Sequence, residues 1–361
     1  MINVLVVEDS PVARELLVHI INTDPGMRVV CAVSDGDEAV EAVARCRPDI
    51  VAMDANMPKM NGFEATRLIM ETNAVPIVII TASLNAGEIE TSFRALQAGA
   101  LMVMQKPQGI GHPDHDAQAE HLIRTMKLMA EVKVVRRWVR AAKETRDEGR
   151  GTKDVKAFSS LVPVSDANGL PSSIQVVAIG ASTGGPPVVQ AILSGLPKNF
   201  PAAVLVVQHM APGFLDGFTE WLGRTTALPV KVAMDGDEIL PGRVYVAPDD
   251  AQMRVNSRGR LACTGDAPEN GLRPAVSYLF RSVAEVFGKN AAGVLLTGMG
   301  RDGAEALKLM KEKGALTIAQ DEESSVVFGM PGEAVRLGAA QYVLPPGAIT
   351  ALLARLGKQD G

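Results

Sequence analysis

Short runs that are apolar at every position alternate along the chain with amphipathic stretches. INVLVV is followed by a helical pattern over residues 11–21, MRVVCAV by one over 38–44, DIVAMD by one over 63–70, PIVIITA by one over 88–97, and ALMVMQ by one starting near Ala117. Continuous apolar runs, unlike alternating ones, mark strands buried on both faces, as parallel strands are when helices cover the sheet. Five such repeats in about 120 residues predict a flavodoxin-like, doubly wound α/β domain.

The fifth helical pattern runs long, with Leu122, Met126, Met129, Val132, Val135, Val139 and Ala142 at spacings of three and four. One small sheet cannot bury so long a stripe, so its far part is expected to dock on a second domain. Residues 143–173 are dense in charge, Gly, Ser and Pro without a sustained period, the composition of a linker. The strand and helix rhythm then resumes through IQVVAIGASTGG, AAVLVVQH, AAGVLLTG and ALTIA. Between the second and third of these lie KVAM, RVYVAP, MRVN and RLACT, with Asp235-Gly236 and Arg258-Gly259 as turn pairs. That cluster predicts antiparallel hairpins inserted into a larger, Rossmann-like parallel sheet. The expected division is a first domain over 1–120, an extended helix and linker over 121–173, and a second domain over 174–361.

A chain of 361 residues with 47% hydrophobic content can bury two such cores. It holds no apolar run of the ~18 residues a membrane span needs, and its first residues form a strand pattern without a basic leader, so a cytoplasmic protein without membrane insertion is expected. Cys31, Cys46 and Cys263 show no C-x-x-C spacing and are expected to be reduced, buried thiols. Residues 1–116 carry 8 basic against 16 acidic side chains and residues 174–361 carry 17 against 18. That balance, with only 4% aromatic residues, excludes an electrostatic or stacking footprint for nucleic acid.

In open α/β sheets the reactive groups collect at the carboxyl ends of the strands. In the first domain that edge receives Glu8 and Asp9 from the first strand, Asp54 from the third, Thr81 from the fourth and Lys106 from the fifth. Clustered carboxylates resist common ionisation, and a hard cation with oxygen ligands, most naturally Mg²⁺, relieves the repulsion. Through VVEDSP, MDANMPKMNG, ITAS and QKP, residues 1 to 120 resemble the response-regulator receiver family. The resemblance implies that Asp54 accepts a phosphoryl group from a histidine kinase of a chemotaxis system. It further implies that Glu8, Asp9, Asp54 and the backbone carbonyl of Asn56 hold Mg²⁺, and that Thr81 and Lys106 respond to the phosphoryl group. Val103 stands where many receivers carry an aromatic switch residue, so output is expected to run through contacts between the domains.

In the second domain Gly180-Ala181-Ser182-Thr183-Gly184 fits G-x-S-x-G between a strand and a helix, which can lift a serine hydroxyl above the sheet edge. The same turn could cradle a nucleotide, but the next strand ends in Gln208-His209, where a dinucleotide fold requires an acid. His209 is the only histidine in residues 122–361 and so the only imidazole that can serve Ser182 as a base. Asp302 lies in a Gly-rich turn after AAGVLLTG and is the best-placed partner for that imidazole; its bland role would be a helix N-cap. Asp235, Asp237, Asp249 and Asp250 fall in turns where solvated carboxylates are ordinary. The order Ser, His, Asp differs from that of α/β-hydrolases.

IGASTGGP, VVQHM and LLTGMGRDG resemble the catalytic domain of the chemotaxis protein-glutamate methylesterases. The resemblance implies Ser182 as nucleophile, His209 as general base and acid, Asp302 as orienting carboxylate and the Met299 N–H as oxyanion donor, with no cofactor in this domain. It implies hydrolysis of glutamate γ-methyl esters on chemoreceptors, deamidation of receptor glutamines in many members, and a receiver that inhibits the enzyme. Two other readings compete: a receiver-regulated nucleotide-binding module, and a non-catalytic adaptor for receptors or kinase. His112 and His115 read as solvent-exposed loop residues rather than metal ligands, and Arg136, Arg137 and Arg140 beside Trp138 as the exposed face of a helix.

Overall fold

The computed structural model describes residues 1–81, 86–132, 134 and 174–356, with backbone alone for residues 86–91. The linker pattern and the far part of the long stripe, with Arg136 to Arg140, lie outside the described residues.

The first domain alternates β1 (Ile2–Val7), α1 (Pro11–Thr23), β2 (Met27–Val33), α2 (Gly36–Cys46), β3 (Ile50–Asp54), α3 (Gly62–Thr72), β4 (Ile77–Thr81), α4 (Ala86–Ala98), β5 (Met102–Gln105) and α5 (His115–Ala130). Its five strands are parallel, in the order β2-β1-β3-β4-β5. Helices start where a short polar side chain can take the first free N–H groups. Ser10 caps α1, Asp35 caps α2 through the N–H groups of Asp37 and Glu38, and Asn61 caps α3.

The second domain contains β6 (Val176–Ala181), α6 (Gly185–Ser194), β7 (Ala203–Gln208), α7 (Leu215–Thr225), β8 (Val230–Val232), β9 (Val244–Val246), β10 (Gln252–Val255), β11 (Leu261–Thr264) and α8 (Val276–Phe287). It continues with β12 (Ala291–Leu295), α9 (Ala304–Glu312), β13 (Leu316–Gln320), α10 (Met330–Arg336), β14 (Tyr342–Leu344) and α11 (Pro346–Arg355). Seven strands form one sheet in the order β14-β13-β12-β6-β7-β9-β8, with β6 at its centre. Of the four short strands expected as hairpins, only β10 and β11 pair antiparallel; β8 and β9 join the main sheet in parallel. The reason lies in burial: Val244 and Val246 are fully buried and extend the face already built by β7, a contact that local turn residues do not encode.

One further expectation changes. Cys31 on β2 and Cys46 at the end of α2 are placed as a disulfide, because packing of α2 on the sheet edge brings together residues 15 apart in sequence; Cys263 alone stays a free thiol. In the long stripe, Leu122, Met126 and Met129 are buried against β1, β3 and β4 of their own domain. This near part of the stripe fills the first domain, while Val135, Val139 and Ala142 of the far part expected to reach the second domain lie outside the described residues.

The domains meet through α4 and β5, and Val326 and Val327 of the second domain pack on the core that α5 covers. Phe93, 2% exposed, stacks on Trp221 of α7 with centroids 5.0 Å apart and planes 9° from parallel, and lies 5.6 Å from the Phe218 ring. Apolar contact runs unbroken from the α2–α4 side of the first sheet to the α6–α7 side of the second. Truncating a packed Phe to Ala costs about 3–5 kcal/mol. Phe93→Ala should therefore loosen the junction and wet Trp221. In a Trp138→Phe background, which leaves Trp221 as the chain's one tryptophan, the variant should show red-shifted emission and stronger acrylamide quenching. Unchanged emission would mean that Phe93 does not hold the domains together.

Candidate active site

The carboxyl edge of the second sheet is where the backbone ladder ends and three strands release their turns side by side. Ala181 of β6 is in register with Gln208 of β7, and the next residues, Ser182 and His209, leave the two strands together. His209 N–H still donates to Ala181 O at 2.9 Å, and Ser182 N–H donates to Thr297 O at 3.0 Å, tying the Ser182 turn to both neighbours. The turn after β12 passes so close to Ser182 that a Cβ on Gly298 would lie 2.7 Å from Ser182 Cβ, which explains a glycine at that position.

His209 places Nε2 3.0 Å from Asp302 Oδ2, close but off the line of a straight hydrogen bond. That carboxylate is buried and held from behind. Val276 N–H donates to Oδ2 at 2.6 Å and Ser277 N–H to Oδ1 at 3.0 Å, both from the first turn of α8. Asp302 thus occupies the anion site of a helix N-terminus, although not of the helix that follows it: α9 starts after Gly303 and has no side-chain cap. The expected N-cap role and the imidazole contact coexist in one carboxylate. Burial pushes its pKa up, but the His209 hydrogen bond and charge and the Ser277 bonds outweigh it and hold Asp302 below the usual value. With Nε2 turned to Asp302, Nδ1 is the nitrogen left for the serine side.

Beside Ser182, the Met299 N–H donates to no group among the described residues. Asp235, Asp237, Asp249 and Asp250 are engaged elsewhere, accepting from Cys263 N–H, Lys231, Gly213 N–H and Arg273. Burial and the two nearby carboxylates push the Cys263 thiol up to about 11, which suppresses its thiolate.

The serine edge is not open. The cavity containing Ser182, Thr183, Gln208 and His209 has a volume of about 40 Å³, and Phe93, Leu96, Met102 and Val103 of the first domain form its opposite wall. Ligand sites usually run to about 300–1,000 Å³, so the space beside Ser182 is small with this wall in place.

In the first domain Glu8, Asp9 and Asp54 bring ligand atoms within 4.8 Å of one another. Lys106 Nζ lies 2.7 Å from Glu8 Oε2 and 3.1 Å from Asp54 Oδ2. Burial, then the charge of Glu8, raises Asp54 to about 6 against the pull of Lys106 and of a backbone hydrogen bond at Asn56. Burial also raises Glu8, while burial alone would depress Lys106, whose carboxylate partners reverse that and hold it up. One ammonium among three carboxylates leaves an all-oxygen donor set short of positive charge, which suits a hard divalent cation. Thr81 is fully buried at the end of β4. His112 is exposed and His115 half-buried, and neither joins a metal-ligating group among the described residues, His115 Nδ1 lying 2.7 Å from Gln108 O.

Residues 177–353 match the family model described as CheB methylesterase, and residues 4–112 match the response regulator receiver domain. The protein-glutamate methylesterase/protein-glutamine glutaminase of Nitrosospira multiformis is 54% identical, the match covering 100% of this chain and 98% of that protein. The chain belongs to this methylesterase family. A relative of the same description from Syntrophus aciditrophicus is 52% identical over 99% of this chain and 98% of its own length. The crystal structure of the Thermotoga maritima CheB methylesterase catalytic domain is 42% identical, covering 51% of this chain and 99% of that one, with a TM-score of 0.49. The chain is thus a protein-glutamate methylesterase in which a receiver, a domain that typically binds Mg²⁺ and here carries the acidic cluster, precedes the catalytic domain. Among the described residues no helix is long and apolar enough to cross a membrane.

Sequence reasoning missed Ser277 and Gln208. Ser277 sits inside a helix pattern, and only the fold shows its N–H on Asp302 and its hydroxyl accepting from Gly303 N–H at 2.8 Å. Asp302→Ala would strand two buried N–H donors of α8, and such loss costs about 1–3 kcal/mol. The variant should unfold at lower urea than Ser182→Ala, which strands none. Because Asp302 is depressed in the fold, its stabilisation is full above the ordinary carboxylate value of 3.8 and is lost as the pH falls below that and through the folded value. The gap between the two variants should close in the same window; equal midpoints at neutral pH would contradict the geometry.

Proposed function

We propose that Ser182, His209 and Asp302 form the catalytic triad of this methylesterase, with Met299 N–H as an oxyanion donor. The observation that carries the reading is the pairing of the domain's single histidine with the buried, helix-anchored Asp302 at the turn adjoining Ser182. His209 Nδ1 takes the Ser182 proton as Oγ attacks the γ-ester carbonyl of a receptor glutamate. The tetrahedral oxygen draws on Met299 N–H, and the imidazolium returns the proton to the departing methoxide. Methanol leaves, and water activated by the same imidazole splits the acyl-serine to a free carboxylate. With a glutamine side chain the leaving group is ammonia, which gives the glutaminase activity named for the relatives.

The receiver controls access in this reading. Asp54 is phosphorylated by the histidine kinase of a chemotaxis system. Glu8, Asp9, Asp54 and the Asn56 carbonyl would hold Mg²⁺, which neutralises phosphoryl charge when bound. Thr81 and Lys106, at the ends of β4 and β5, then respond to the new anion. The face that walls the Ser182 cavity takes Met102 and Val103 from β5, shortly before Lys106, and Phe93 and Leu96 from α4, the helix after β4, so its movement would uncover the site. The substrate is a methylated chemoreceptor and the setting cytoplasmic. The unit boundaries of this scheme are 1–120 for the receiver, 121–173 for the connection and 174–361 for the esterase.

Ser182→Ala and His209→Ala should each lower methanol release from methylated receptor by something on the order of 10⁴ to 10⁶, with the double variant little worse. Asp302→Ala should lose roughly 10² to 10⁴, since the base remains without its orientation. An active Ser182→Ala variant would end the triad reading. For control, a small phosphodonor with Mg²⁺ should label the wild type but not Asp54→Asn. Phe93→Ala should raise unphosphorylated activity toward the phosphorylated level, roughly 5- to 150-fold for a coupling of ordinary size. A folded Phe93→Ala protein with basal activity no higher than wild type would mean that the aromatic junction is not the block.

A further inference from the structure

Gln208 is the last residue of β7 and is 4% exposed. One hydrogen of its amide goes to Ser182 O at 2.8 Å and the other to His209 O at 2.9 Å. Reversing the amide would set Oε1 against two carbonyl oxygens, so the donors fix its orientation. The backbone ladder between β6 and β7 ends with His209 N–H on Ala181 O, and the Gln208 amide supplies two further rungs beyond it, across the turns that carry Ser182 and His209. Ser182 O also accepts from Gly185 N–H at 2.8 Å, which fills both its lone pairs. The amide needs its room: a Cβ on Gly185 would lie 2.3 Å from Gln208 Oε1.

Gln320 offers a comparison, since it ends β13 as Gln208 ends β7 and is also buried. Its Oε1 accepts from Thr297 N–H at 2.8 Å and its Nε2 donates to Ser324 O at 2.8 Å, so both ends of that amide are used. In Gln208 the oxygen accepts nothing among the described residues. A buried acceptor without a donor is destabilising, and an apolar residue of the same length would avoid it. What the amide contributes at this position is therefore its two donated bonds across the Ser182 and His209 turns.

We propose that Gln208 is a positioning residue for the ester hydrolysis, clamping the Ser182 and His209 turns so that Oγ and Nδ1 face each other at transfer distance. The proposal rests on the triad reading above. Displacements of about 1 Å at a reacting pair cost on the order of 10²-fold in rate. In the full-length chain activated by a small phosphodonor and Mg²⁺, Gln208→Met should lower kcat for methanol release by about that factor with KM unchanged. It should slow labelling of Ser182 by a small serine-reactive fluorophosphonate equally, with an unaltered circular dichroism spectrum. Gln208→Glu provides the second readout. Ionised, it would oppose two carbonyls; protonated, it can donate one bond, so its activity relative to wild type should rise as the pH is lowered. Normal kcat in folded Gln208→Met overturns the clamp, as does a Gln208→Glu profile parallel to wild type, which decides the matter if the Met variant fails to fold. Ser182→Ala run alongside separates the two levels. If it neither turns over nor labels while Gln208→Met is normal, only the clamp falls; if it remains active, the triad reading falls with it.

Discussion

The buried carboxylate of Asp302 on the first turn of α8 is the interaction on which the catalytic edge depends. A carboxylate this deep stays ionised only if donors surround it, and the Val276 and Ser277 N–H groups supply them before the imidazole arrives. One group thereby satisfies the open end of α8, sets the rotation of the His209 ring and keeps negative charge beside the imidazole. The turns after β6, β7 and β12 are in turn connected to each other: β7 to β6 through Gln208, and β6 to β12 through Ser182 N–H on Thr297 O. The reacting atoms ride on short turns, yet each turn is anchored to a strand of the central sheet within one or two residues, the rigidity that catalysis by preorganised groups requires.

The receiver uses the same kind of edge for a different task. There the carboxylates crowd one another rather than a histidine, and Asp54 is raised to about 6 where Asp302 is lowered. Opposite shifts in two buried aspartates follow from their donors: Asp302 has backbone N–H groups and an imidazole, while Asp54 shares one lysine with Glu8. A carboxylate cluster short of positive charge suits an incoming divalent cation, which would complete it. A structural carboxylate gains from being complete already.

Much of this was legible in the sequence. Fully apolar strand runs disclosed both parallel sheets, and the rule that reactive groups gather at strand carboxyl ends selected Ser182, His209, Asp302 and the Asp54 cluster, which the fold brings together in two places. What stayed hidden depends on contacts between elements distant in the chain. Gln208 registered only as the absence of an acid, because its two acceptors belong to turns whose spacing the fold alone determines. The hairpin signals around Asp235-Gly236 were local and genuine as turns, but the pairing of β8 and β9 was decided by the face that β7 left to be covered. The stripe through Leu122, Met126 and Met129 told correctly that a helix face is buried but not against which sheet, since periodicity carries no address.

The surface that closes the Ser182 cavity is built from Phe93, Leu96, Met102 and Val103 against Phe218 and Trp221, rings and aliphatic chains with no ion pair among them. Its hold is the expulsion of water from apolar area, which ionic strength barely screens and which weakens on cooling. A latch of charges would drift with every change in salt; an apolar one does not. The resting state is thereby insulated from osmotic history and grows looser in the cold.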